Sequence, residues 1–261
     1  MINDNKLMVV ANWKMYLSRT ASLQVANSLA KILTKQAEKM DIVLCPSYPI
    51  ISEIASIFAD TKISVGAQDI HHEENGAYTG DVSVSEIQGL AKYVIVGHSE
   101  RRKNHGDSDE MISVKAKLAL KGGIHPIICV GETFQERQKG GTIEVIKRQV
   151  SKVMENLSYI DFSRIIFCYE PVWAIAPALG ELASQPEAQE VAEMAGLIRK
   201  IAHENGKYAE KIRVLYGGSV TSKSAAAFVS EPGVDGVLVG GASTKPSEFS
   251  GIIREIEKCR S

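Results

Sequence analysis

The sequence has almost no net charge, no long apolar run and no paired cysteines, and each lack removes a class of protein. Its 30 basic and 31 acidic residues nearly cancel, to a formal charge of -1. No global field therefore draws it to nucleic acid or to an anionic membrane surface, and an anionic ligand has to be met locally. No apolar stretch approaches the roughly 20 residues of a membrane span, and the short polar start Met1–Asn5 precedes no signal-peptide core. Cys45, Cys129, Cys168 and Cys259 lie far apart without CxxC spacing. They read as free thiols of a reducing cytoplasm rather than as a zinc or redox motif. The six histidines form no ligand set with carboxylates at metal spacing, and His71-His72 beside Glu73-Glu74 reads as a solvated loop. Neither a metal nor a cofactor is expected. Linkers, low-complexity tracts and internal repeats are also missing.

What is present is enough for one large core: 261 residues, 44% of them hydrophobic and 23% charged. Eight short runs rich in Val, Ile and Leu punctuate the chain, at Lys6–Ala11, Asp41–Cys45, Ile63–Ala67, Tyr93–Gly97, His125–Val130, Arg164–Tyr169, Arg213–Gly217 and Gly236–Gly240. Between them, segments such as Thr20–Lys39, Asp109–Gly122, Thr142–Leu157 and Pro186–Asn205 repeat apolar residues at three and four positions. Near-continuous apolar strands suit a parallel sheet covered by helices on its faces. Eight such units predict an α/β fold, a single-domain (β/α)8 barrel over residues 1–261, with an open doubly wound sheet as the rival.

In a barrel the reacting groups gather at the C-terminal strand ends, and the unusual residues fall there. Asn12, Trp13 and Lys14 follow the first run; Gly97, His98, Ser99 and Glu100 the fourth; Glu170 the sixth; Gly217, Gly218 and Ser219 the seventh; Gly240 and Gly241 the eighth. Singly, each has an ordinary reading: a surface lysine, a capping acid, a structural histidine, a tight turn. Their joint placement on one rim does not.

The segments NWK, GHSERR, YEPVWAI, YGGSV and VDGVLVGGAS, in this order and spacing, resemble the triosephosphate isomerase family from the first strand to the last helix. The resemblance implies a TIM barrel that interconverts dihydroxyacetone phosphate and glyceraldehyde 3-phosphate, in glycolysis and gluconeogenesis. By motif it implies substrate contacts from Asn12 and Lys14, His98 as electrophile and Glu170 as base. It also implies a homodimer, in which the loop GAYTGDVS (Gly76–Ser83) reaches into the partner subunit.

The chemistry fits those residue types. Moving a carbonyl along a sugar phosphate takes a proton from one carbon and returns it to the next, and one partly desolvated carboxylate serves both steps through an enediolate. The developing oxyanion needs donors already in place, which a neutral His98, Lys14 and Asn12 offer. Ser99 and Glu100 open a helix whose dipole disfavours imidazolium at His98. Glu100 is expected on Lys14 or on substrate hydroxyls, or else in an ion pair with Arg101 or Arg102. Gly218, Ser219, Gly240 and Gly241 offer backbone N–H groups to a phosphate, and a short helix from Ala242 can point at it.

The sequence departs from the family's pattern after WAI, where Gly-Thr-Gly-Lys is usual. Here Ala176, Pro177, Ala178 and Leu179 stand, followed by a longer link to a helix near Pro186. Ala176 keeps an N–H for the phosphate, while Pro177 lacks one. Tyr16 and Asp69 also stand where the family usually has Asn. Two alternatives follow: an isomerase of a four-carbon ketose phosphate such as an erythrulose phosphate, or a non-catalytic sugar-phosphate-binding barrel.

Overall fold

The computed structural model describes residues 6–157, 163–175, 185–205 and 212–259. Eight parallel strands close a barrel in chain order: β1 Met8–Asn12, β2 Asp41–Cys45, β3 Ser64–Ala67, β4 Tyr93–Val96, β5 His125–Val130, β6 Ile166–Tyr169, β7 Arg213–Tyr216 and β8 Gly236–Val239. Closure is made where Met8–Ala11 of β1 pair with Gly236–Val239 of β8. The open-sheet rival is excluded.

Alternation along each strand divides the core in two, because successive side chains point to opposite faces. Met8, Val10, Val43, Cys45, Tyr93, Ile95, Ile127, Cys129, Ile166, Cys168, Leu215 and Leu238 fill the barrel interior. Their neighbours, including Val9, Ile42, Val94, Ile128, Phe167, Val214 and Val237, pack outward against the helices. Each such aliphatic side chain contributes about 1.5–3 kcal/mol through burial, which is why the strands are apolar on both faces.

The helices are α1 Arg19–Leu33, α2 Ile51–Phe58, α3 Val84–Ile87, α4 Ser99–His105, α5 Asp109–Lys121, α6 Phe134–Gln138, α7 Thr142–Met154, α8 Ala188–Asn205, α9 Ala225–Ser230 and α10 Pro246–Lys258. Their starts follow the capping residues in the sequence. Ser18 and Ser108 accept the N–H groups of Ala21 and Met111, and Thr133 with Glu136 forms a reciprocal box.

Two expected helices are shorter than their apolar period. The first ends at Leu33, where Thr34 turns its hydroxyl back to the Ala30 carbonyl at 2.7 Å, and a separate 3-10 turn covers Gln36–Glu38. The other begins at Ala188 rather than near Pro186. Strand ends also retreat by a residue or two, since a strand lasts only while both neighbours pair with it. Ile166, for example, is the first β6 residue with partners in both β5 and β7.

Candidate active site

Two of the rim residues are aimed by parity. Asn12 continues the inward series Met8 and Val10, and Glu170 continues Ile166 and Cys168. Both are buried, at 4% and 1% exposure. The Asn12 side-chain oxygen accepts the Lys14 N–H at 3.1 Å, and Gln68 donates to the Lys14 carbonyl at 2.9 Å. Together they hold Lys14 at φ 49°, the one positive value outside glycine among the described residues. A lysine there costs roughly 1–2 kcal/mol, and the turn carries its side chain across to the β4 side of the mouth.

His98 sits just before α4, and its Nδ1 accepts the Glu100 N–H at 3.1 Å. In the neutral ring this puts the proton on Nε2, which stands 3.3 Å from Glu170 Oε1. That contact is not aligned as a hydrogen bond, and Oε1 is buried without a hydrogen-bond partner. The other oxygen, Oε2, accepts the Ser99 N–H at 3.1 Å.

Lys14 Nζ lies 2.6 Å from Glu100 Oε1. Glu100 therefore takes neither arginine. Arg101 turns to Asp69 and Asp107 at 3.1 and 3.3 Å, and Arg102 to Asp109 at 2.6 Å. Because Glu100 is half exposed, its pair with Lys14 is weak enough for a substrate to replace.

The seventh and eighth loops flank this group. Gly240 lies against Lys14: a side-chain carbon on Gly240 would come 3.4 Å from Lys14 Cε and 3.7 Å from Nζ. The short helix expected from Ala242 is a single 3-10 turn over Gly241–Thr244, and Ser243 closes it on the Gly240 carbonyl at 2.7 Å. In the seventh loop the expectation of free backbone donors is only partly met. The Gly217 N–H goes to the Tyr169 carbonyl at 2.8 Å, and the Ser219 N–H and hydroxyl both go to the Ala174 carbonyl, at 3.2 and 2.9 Å. Gly218 between them is packed on Tyr216, whose hydroxyl would be 2.1 Å from an added side-chain carbon. Ala176 lies outside the described residues.

Sequence reasoning missed Gln68 and Glu132, although each stands just past a strand end, where the rim rule would have found it. Glu132 is fully buried and accepts from Trp173 Nε1 at 2.8 Å and from the Tyr169 hydroxyl at 3.2 Å. It thereby anchors the 3-10 turn Val172–Ala174 that follows Glu170. Gly131 beside it admits no side chain, since a Cβ there would fall 1.8 Å from the Glu170 carbonyl oxygen. His71 and His72 are half-buried rather than solvated, and the His71 ring lies 4.2 Å from Tyr78.

The family model described as triosephosphate isomerase matches residues 7–256. Similar proteins include the triosephosphate isomerase of Citrifermentans bemidjiense, 39% identical over 258 residues, which are 97% of this chain and 99% of that protein. That of Dictyoglomus thermophilum is 41% identical over 250 residues, 95% of this chain and 98% of its own length. That of Corynebacterium glutamicum is 40% identical over 250 residues, 94% and 95% of the two chains.

Proposed function

Because the chain belongs to the triosephosphate isomerase family, we propose that its interconversion of dihydroxyacetone phosphate and glyceraldehyde 3-phosphate runs on Glu170, His98 and Lys14. The observation that carries this assignment is the 3.3 Å approach of His98 Nε2 to Glu170 Oε1, with Nδ1 already occupied by the Glu100 N–H. A donor and a base thus touch at one point of the mouth, and the substrate parts them so that its carbonyl meets the donor and the adjacent carbon the base.

Glu170 exchanges its hydrogen bond with the Ser99 N–H for the substrate and removes a proton from the carbon beside the carbonyl. The resulting enediolate oxygen receives the His98 Nε2–H and lies in the field of Lys14. Glu170 then returns the proton to the adjacent carbon, so one carboxylate acts as base and then as acid. Asn12 fixes the Lys14 turn, and Glu100 holds the ammonium group until the substrate arrives. The phosphate is met by the N–H groups of Gly218, Ser219, Gly240 and Gly241 with Ala176, and the contact of Gly240 with Lys14 puts the cation beside that cradle. Binding through Ser219 requires it to release the Ala174 carbonyl.

The relatives' shared activity supports the three-carbon substrate over a four-carbon ketose phosphate, and it sets aside a barrel without catalysis. Specificity constants for the two substrates test this directly. A preference for the four-carbon compound would overturn it.

The assembly is proposed as a homodimer in the cytoplasm. A cleft of about 350 Å³ opens between the first and fourth loops, lined in part by Met15, Gln68, Glu100 and Arg101. Met15 is 95% exposed beside it, Tyr16 63%, and Tyr78 at the tip of the third loop 43%. Insertion of a partner's Tyr78–Asp81 tip into that cleft covers these apolar surfaces. A fully active monomer in sedimentation would refute it. The four free thiols support a reducing compartment, and no helix among the described residues is long and apolar enough to cross a membrane.

A further inference from the structure

Beneath the carboxylate of Glu170 lie two thiols that the isomerisation does not use. Cys129 of β5 and Cys168 of β6 are register partners in adjacent parallel strands. Both point into the barrel, 1% and 0% exposed. Glu170 follows Cys168 by two residues and so shares its inward face. As a result both sulfurs and a carboxylate oxygen of Glu170 lie within 4.8 Å of one another, a three-donor group formed at the floor of the mouth.

A second observation points to a ligand there. Glu170 Oε1 is buried without an aligned hydrogen-bond partner, although His98 Nε2 stands 3.3 Å away, and a buried oxygen left unsatisfied is costly. Gly217 packs directly on both groups: a side-chain carbon there would come 2.5 Å from Cys168 Sγ, 2.8 Å from Glu170 Cγ and 3.4 Å from Oε1, so sulfur and carboxylate share one face of that loop.

We propose that Cys129, Cys168 and Glu170 form a site for one thiophilic cation, zinc or cadmium, whose binding switches the isomerase off by occupying the carboxylate. The site binds no hard cation such as magnesium, because two sulfur donors select soft metals. Tetrahedral coordination with Zn–S bonds of about 2.3 Å places two sulfurs roughly 3.7 Å apart. The present spread of the donors therefore asks only for a small contraction. The cation replaces the two thiol protons and binds the existing carboxylate, and no electron is transferred.

Burial pushes both thiols up, so neither serves as a nucleophile or redox group on its own. A coordinating cation deprotonates them regardless. Cys45 points into the same interior but lies outside the group, and Cys259 follows the last helix, half-buried. The inhibition, though not the binding, rests on the reading of Glu170 as the base.

The test titrates cadmium chloride into the full-length protein and follows the ultraviolet thiolate-to-cadmium charge-transfer band, with bound metal counted by equilibrium dialysis. One cation per chain is expected, with at least a tenfold loss of kcat/KM that a chelator reverses and that magnesium does not cause. Cys168→Ala should retain isomerase activity without metal, lose the band, bind cadmium at least tenfold more weakly and stay active in its presence. Cys259→Ala should behave as the parent. If Cys168→Ala does not fold, Cys168→Val, which keeps an apolar strand residue, replaces it. An undiminished band in the Cys168 variant, or no tight cation in the parent, overturns the site. One bound cation with full activity overturns instead the inhibition and the assignment of Glu170 as base.

Discussion

The two sides of the barrel mouth are held by different physics. On the β1 and β4 side, α4 carries His98 and Glu100 over a buried cluster of two acids and two bases. Lys115, 1% exposed, lies 2.8 Å from Asp69 and 2.6 Å from Asp107, and Arg101 reaches the same two carboxylates at 3.1 and 3.3 Å. On the β6 and β7 side the described residues offer, beside Glu170 itself, one fully buried acid, Glu132, whose basic partner Arg137 lies 3.6 Å away and is a third exposed. The Glu170 carboxylate is held by one backbone N–H, and the turn after it hangs on hydrogen bonds to neighbouring loops, from Trp173 Nε1 and the Val172 N–H to Glu132 and from the Ser219 N–H and hydroxyl to the Ala174 carbonyl. Balanced buried charges resist separation because each partner left alone would be an uncompensated ion in low dielectric. Single hydrogen bonds exchange for others at small net cost. The side that presents His98 is thus fixed before substrate arrives, and the side that carries Glu170 is able to change partners.

The largest expected effect comes from chemistry on the mobile-bonded side. Glu170→Gln keeps the size and the bond to Ser99 but removes the proposed base, and kcat should fall by about 10³–10⁴ with KM nearly unchanged. Steady-state kinetics with near-parent activity would end the assignment. Next, Lys14→Ala removes the cation of the fixed side. A loss of about 10²–10³ in kcat/KM is expected, together with weaker binding of a phosphorylated inhibitor. If inhibitor affinity is unchanged, Lys14 does not serve the phosphate.

The charge cluster itself sharpens the comparison through pH. Burial works against the charge of Asp107, yet Lys115 and Arg101 outweigh it and hold its carboxyl below the usual range. Its contribution to stability is therefore present above the ordinary carboxylate pKa and is lost as pH falls through the lowered folded value. Burial pushes Asp69 the other way, up, and Lys115 and Arg101 offset it only in part. Its effect on stability is most favourable below the unfolded pKa and declines as pH rises through the raised folded value. Asp107→Asn should cost about 2 kcal/mol in urea unfolding near neutral pH, with the loss vanishing in acid. Asp69→Asn should leave neutral-pH stability equal or higher. Equal losses from the two would show that the cluster acts only as a sum of charges.

The smallest effect is at the 3-10 turn of the other side, Val172–Ala174. Trp173→Phe removes one hydrogen bond from buried Glu132, which keeps the Tyr169 hydroxyl and Arg137 as partners. A cost of about 1 kcal/mol in unfolding is expected, with a change in kcat/KM of only a few-fold. A hundredfold kinetic loss would mean that this side is as rigidly required as the first.

The sequence by itself determined the eight strands, their order and the rim on which Asn12, Lys14, His98 and Glu170 gather. Apolar runs with no polar face can only be buried on both sides, and strand parity puts Asn12 on one face with Met8 and Val10 and Glu170 on one face with Ile166 and Cys168. Tertiary structure alone decided the pairings across the rim. That Glu100 meets Lys14 and not Arg101 or Arg102, that Asp69 joins Asp107 around Lys115, and that Cys129 and Cys168 meet under Glu170 all depend on barrel closure and strand register. Those contacts join residues distant in sequence, and a charge or donor chooses among several chemically equal partners by distance, which local patterns of residues do not encode.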